Sequence, residues 1–97
     1  MKKIILISSL LLSSSVFAGD LDAGAKIAKN CAGCHGEKGI STANSWPNLA
    51  GQKEDYLINQ LLAFKEGIRS DPMMETIAGK LSEVEIEDVA AFYANIK

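Results

Sequence analysis

The sequence predicts a small all-α domain. Three observations carry that prediction. Apolar residues recur three and four apart in the stretches around Leu57 and Val89, a helix-starting pair stands at Ser82 and Glu85, and no convincing strand pattern occurs anywhere. The 97-residue chain shows no internal repeat and no second domain.

Residues 1–18 read as an export address and no part of the fold. Met1-Lys2-Lys3 is a short positive start, Ile4 to Leu12 is an apolar run interrupted by Ser8 and Ser9, and Val16-Phe17-Ala18 offers a signal peptidase small or tolerated residues. The apolar run is too short to cross about 30 Å of hydrocarbon, so it is read as a cleaved signal peptide and not as an anchor. Cutting after Ala18 leaves residues 19–97 as a single domain of 79 residues. A chain this short buries a small share of its surface and benefits from a staple.

The elements follow in order. Gly24, Ile27, Ala28 and Cys31 lie on one helical face, with Asp20 or Asp22 placed to cap or charge its start, which predicts a first helix over about 22–30. Gly24 weakens that helix and is explained by close approach of another one, with Phe92 or Tyr93 as the packing partner. Residues 36–51 are rich in Gly, Ser, Asn and Pro without periodicity and predict a loop that wraps something. Leu57, Leu61 and Phe64, widened by Ile58 and Leu62, form the clearest amphipathic stripe, and Gly67 ends it. Arg69 to Pro72 is a turn, followed by a short helical stretch from Met73-Met74 to about Ala78. Ser82 and Glu85 open the last helix as a capping box, with Ile86, Val89, Ala90 and Tyr93 on its buried face. Glu83, Glu85, Glu87 and Asp88 sit in its first turns, where the helix dipole favours acids.

The chemistry is concentrated in Cys31-Ala32-Gly33-Cys34-His35, which holds both cysteines and the one histidine of the chain. Two thiols separated by two residues and followed by an imidazole are what covalent haem attachment requires: each thiol adds to a vinyl group, and the His ligates the iron. A structural zinc site needs about four ligands, and the second pair is missing. A thioredoxin-like pair would follow a strand. A plain disulfide here closes too small a loop to restrict the unfolded chain. A redox-active disulfide is the remaining competitor. An export signal fits haem attachment, and the haem itself supplies the staple that so small a core needs. The chain without haem is expected to fold poorly.

The iron's second axial position is narrowed by composition. A second His does not exist, and Met1 leaves with the signal, so Met73 and Met74 are the remaining thioethers. They follow a Pro-containing turn, where the chain can return across the other haem face. Packing residues are the alternative. A thioether is a soft ligand that favours ferrous iron and raises the potential. Trp46, in a loop with little core of its own to join, is placed to meet the haem.

The mature chain loses Lys2 and Lys3, so 8 basic residues face 12 acidic ones, a formal net of −4. That balance disfavours nucleic acid and anionic membranes and suits either a positively charged redox partner or simple solubility.

The chain resembles the class I cytochromes c, the small bacterial periplasmic single-haem type. The resemblance is carried by Cys31 to Gly36, Pro47-Asn48-Leu49-Ala50-Gly51-Gln52, Tyr56-Leu57 with Gln60-Leu61, Phe64-Lys65-Glu66-Gly67, the methionines, Leu81-Ser82 through Ile86, and Ala90 to Tyr93. It covers essentially all of the mature chain. It implies a small all-α class I cytochrome c fold, its helices packed around one covalently attached haem c. Cys31 and Cys34 are then the thioether anchors, and His35 is the proximal iron ligand. Pro47 accepts a hydrogen bond from the other His35 ring nitrogen. Met74, seven residues before Leu81, is the implied distal ligand, with Met73 beside it as the alternative. Trp46, Tyr56 and Arg69 are implied at the haem edge or propionates. Ala28 departs from the pattern, because many members place an aromatic there.

The function expected from these readings is single-electron transfer in the periplasm between respiratory redox partners: an upstream reductase and a downstream oxidase or peroxidase. That makes a carrier and not an enzyme. The competing reading is a haem-based sensor or peroxidase-like enzyme with an open or labile sixth position.

Overall fold

The computed structural model describes residues 19–97; the signal peptide expected at residues 1–18 lies outside the described residues. Five helices follow one another without a strand among the described residues: α1 (Leu21–Ala28), α2 (Ala32–His35), α3 (Glu54–Lys65), α4 (Pro72–Gly79) and α5 (Glu83–Ala94). α1 and α3 both pack on α5, and α4 packs on α3.

α1 begins where the Asp20 carboxylate accepts from the Asp22 and Ala23 amides, and it ends earlier than periodicity suggested. The expected helix over 22–30 stops at Ala28, after which turns let the Cys31 amide donate to the Ala28 carbonyl at 2.9 Å. This tightening makes Cys31 the residue that caps α2. That single helical turn was not expected, because its sequence is too short to show a period.

α1 crosses α5 at Gly24. A Cβ there would collide with the Asp88 carbonyl oxygen and come within 2.9 Å of the Phe92 Cβ. Glycine therefore gives up helix propensity to let two backbones touch. Phe92, one of the two aromatics expected there, makes this contact. Tyr93 instead turns inward. Its hydroxyl donates to the Ala28 carbonyl at 3.5 Å, and its ring meets Phe92 edge-on with centroids 5.1 Å apart. Ala28, the residue noted as a departure from the pattern, packs in the same core as Tyr93. Ala28, Leu57, Val89, Ala90 and Tyr93 form the common core of α1, α3 and α5.

α3 closes at Gly67, whose φ of +75° lets the Ile68 amide reach the Ala63 carbonyl at 2.8 Å and the Gly67 amide reach Phe64 at 3.2 Å. The Lys65 ammonium then donates to the carbonyls of Gly79 (3.2 Å) and Leu81 (2.6 Å), tying the end of α3 to the corner between α4 and α5. α5 opens with the expected capping box: the Ser82 hydroxyl accepts from the Glu85 amide, and the Glu85 carboxylate accepts from the Ser82 amide. Ile86, Val89, Ala90 and Tyr93 are buried as expected.

Candidate functional site

The helices enclose a cavity of about 440 Å³. Its lining draws on every part of the chain that the sequence marked as chemical. Cys34 and His35 come from α2 and Cys31 from the position that caps it, Trp46 and Pro47 from the loop, Tyr56 from α3, Arg69 from the turn, and Met73 and Met74 from the start of α4. Sequence separation between Cys31 and Met74 is bridged because α3 runs along the cavity and α4 folds back on it.

His35 is buried, 8% exposed, and its ring orientation is fixed from behind. Nδ1 lies 2.8 Å from the Pro47 carbonyl oxygen. A carbonyl only accepts, so the proton sits on Nδ1, and Nε2 is the nitrogen left with a free lone pair. The backbone around it is knitted: the His35 amide donates to the Cys31 carbonyl at 2.9 Å, and the Leu49 and Ala50 amides share the Gly39 carbonyl at 2.8 and 3.1 Å. The two sulfurs are not joined to each other. Burial pushes the Cys31 thiol above its ordinary pKa, a contact with Tyr93 acts against that, and Cys34 adds a smaller push upward. Burial likewise raises the Tyr93 phenol far above its usual range, so it stays a neutral donor.

The methionines sit in the first turn of α4. The Asp71 carboxylate accepts from both the Met73 and Met74 amides at 3.0 Å, and Pro72 occupies the position where a missing amide does no harm. Met73 is 56% exposed, whereas Met74 is half-buried. Both line the cavity. Trp46 and Tyr56 are exposed at its margin.

Arg69 is held more firmly than a surface arginine. Its guanidinium donates to Gln60 Oε1 at 2.6 Å and lies 4.5 Å from the Phe64 ring centroid. Gln60 was not singled out as a site residue; its place one helical turn after Tyr56 was the available signal. Leu57, Leu61 and Phe64, read from their period as a core stripe, are also cavity lining. The core of this domain and the wall of its site are one surface.

The cavity is therefore largely apolar and offers two thiols, one imidazole nitrogen and two thioethers, which suits a flat iron-containing macrocycle. Residues 21–97 match the family model described as Cytochrome c. The chain belongs to the cytochrome c family. It is 41% identical over 80 residues to cytochrome c4 of Pseudomonas aeruginosa, a match that covers 82% of this chain and 40% of that protein. It is 37% identical over 81 residues to cytochrome c-554(548) of Halomonas halodenitrificans, covering 80% of this chain and 98% of that one. Among solved structures, cytochrome c4 of Acidithiobacillus ferrooxidans superimposes with a TM-score of 0.74 at 33% identity, over 84% of this chain and 52% of that chain. This cytochrome c thus spans less than two thirds of the length of the cytochrome c4 relatives it matches. Family membership brings haem c, covalently attached, as the prosthetic group.

Proposed function

We propose that this cytochrome c is an exported, periplasmic one-electron carrier whose haem is ligated by His35 and Met74. The observation that carries this reading is the meeting of Cys31, Cys34, His35 and both methionines in one cavity. In it, Cys31 and Cys34 hold the haem through thioethers, and His35 Nε2 is the proximal ligand. The Pro47 carbonyl keeps the Nδ1 proton in place, which fixes the ring and makes Nε2 a better donor. Met74 is favoured over Met73 because it is the more buried of the two, as an iron ligand must be. Met73 packs beside it. Trp46, Tyr56 and Arg69 meet the haem edge or its propionates, with Gln60 and Phe64 holding the guanidinium in position.

Bound haem supplies a ferric–ferrous couple that takes up and releases one electron. The apolar side chains of this cavity would limit the access of water to the haem, and with both ligands retained the protein would act as a carrier and not an enzyme. Residues 1–18 supply the export signal, and no helix among the described residues is long and apolar enough to cross a membrane. Its partners are redox proteins, a donor and an acceptor that approach the haem edge.

Spectroscopy of the exported holoprotein during a redox titration tests this reading. The expected result is a six-coordinate low-spin species with a methionine-to-iron charge-transfer band in the ferric form and a single one-electron transition. A high-spin spectrum, or ligand binding by the reduced form, would replace the carrier with the sensor or peroxidase reading.

A further inference from the structure

We propose that Asp88 is a receptor for the α-ammonium group created when the chain is cut between Ala18 and Gly19, so that removal of the leader locks α1 onto α5. The inference rests on the export reading given above.

Asp88 is unlike its acidic neighbours. Glu83 and Glu87 are exposed, but Asp88 is only 8% exposed, at the centre of the α1–α5 crossing. Its backbone carbonyl meets Gly24, and its side chain reaches toward the start of the described chain. There Oδ1 accepts from the Asp20 amide at 2.8 Å. Among the described residues that amide is the one hydrogen-bond donor to the carboxylate. A buried carboxylate with a single neutral donor is costly, and a nearby cation offsets the cost.

Gly19 brings that cation. It packs so tightly on α5 that a Cβ would collide with the Glu87 carbonyl and lie 2.9 Å from the Asp88 Cα. Its nitrogen is one peptide unit from the amide already bonded to Asp88. In the precursor this nitrogen is a neutral amide. Hydrolysis of the Ala18–Gly19 bond consumes one water, leaves a carboxylate on Ala18 and gives Gly19 an ammonium group. Processing thus adds a positive charge beside a buried negative one, on a residue whose lack of a side chain allows the approach.

The Asp88 carboxylate is bonded to this segment at the Asp20 amide, and Asp20 and Asp22 at the start of α1 and Glu83, Glu85 and Glu87 on α5 are the other acidic groups of the two elements that meet here. An α-amine ordinarily titrates in the range from about pH 7 to 9. Pairing raises its pKa above the unfolded value of about 7.7–8.0. The stabilisation is therefore fully present below that value and is lost as pH rises through the folded pKa.

The test uses the exported holoprotein, whose intact mass and amino-terminal sequence give the cut. Melting is then followed from pH 6 to 10 for wild type, for wild type acetylated at the α-amine, and for Asp88→Asn with and without acetylation. Asn keeps the acceptor for the Asp20 amide and removes only the charge. The expected result is that acetylation and Asp88→Asn each lower Tm at pH 7 by about 4–8 °C, the size of shift that one ion pair gives a domain this small. The wild-type advantage should fade above pH 8, and acetylation should change nothing further in Asp88→Asn. An acetylated wild type that melts with the unmodified protein, or an acetylation effect that persists in Asp88→Asn, overturns the clamp while leaving export intact. A cut anywhere other than before Gly19 overturns the clamp while leaving export intact, and an uncut leader overturns both.

Discussion

The cavity has two sides that are held in different ways. On the His35 side, residues 31–50 form a backbone network in which the ring is buried, its Nδ1 proton is committed to Pro47, and Gly39 receives two amides from the far end of the loop. On the Met74 side, two thioethers ride on the first turn of an eight-residue helix, and one carboxylate, Asp71, holds both of their amides. The first side is fixed by many bonds of long sequence reach. The second depends on a cap whose removal typically costs about 1 kcal/mol. The two proposed axial ligands therefore differ in how readily they can be displaced, and the methionine is the one that local opening exposes.

The largest expected effect comes from breaking the rigid side. His35→Ala should abolish accumulation of low-spin holoprotein, measured by haem staining and absorbance of periplasmic extracts; normal levels with an unchanged spectrum would refute its role as ligand. Next in size is the methionine pair. Met74→Ala should remove the charge-transfer band and lower the reduction potential by on the order of 0.1 V or more, within the ~0.8 V span that axial ligands cover. Met73→Ala should leave the band in place, and the reverse pattern would exchange their roles. The smallest effect separates the two sides most cleanly. Asp71→Ala should lower Tm by about 4–8 °C. It should also speed displacement of the methionine by added imidazole, while the His35 ring resonances stay unchanged. Equal perturbation of both sides would mean that the cavity opens as one unit.

The attachment on the His35 side was legible in the sequence because its chemistry is contiguous in Cys31 to His35, whereas Pro47 was reached only through the family resemblance. The methionines stood out as candidates by elimination, since few soft ligands exist in the chain, and both line the cavity. α5 was legible in detail, because a capping box and a four-residue apolar face are both local signals. What local pattern could not show was partnership across the chain. Asp88 reads as one more acid in a solvated first stretch of helix, yet it is buried against Asp20, a residue 68 positions away. α3 reads as a core helix, and its stripe does face inward, but toward a cavity whose contents the period of Leu57, Leu61 and Phe64 cannot specify. α2 is a single turn, shorter than any period, and the early end of α1 leaves Cys31 as the residue that caps it.

The Lys65 strap gives α4 a mechanical character. An ammonium donating to the carbonyls of Gly79 and Leu81 anchors the far end of α4, and because both acceptors are neutral the anchor does not depend on a screened ion pair. The methionines occupy the other end. α4 is therefore a lever about 12 Å long, with its fulcrum at Lys65 and its load at Met74. Any rocking of that lever would be felt at the sulfur proposed as the iron's ligand before it reached the hydrogen-bonded loop behind His35.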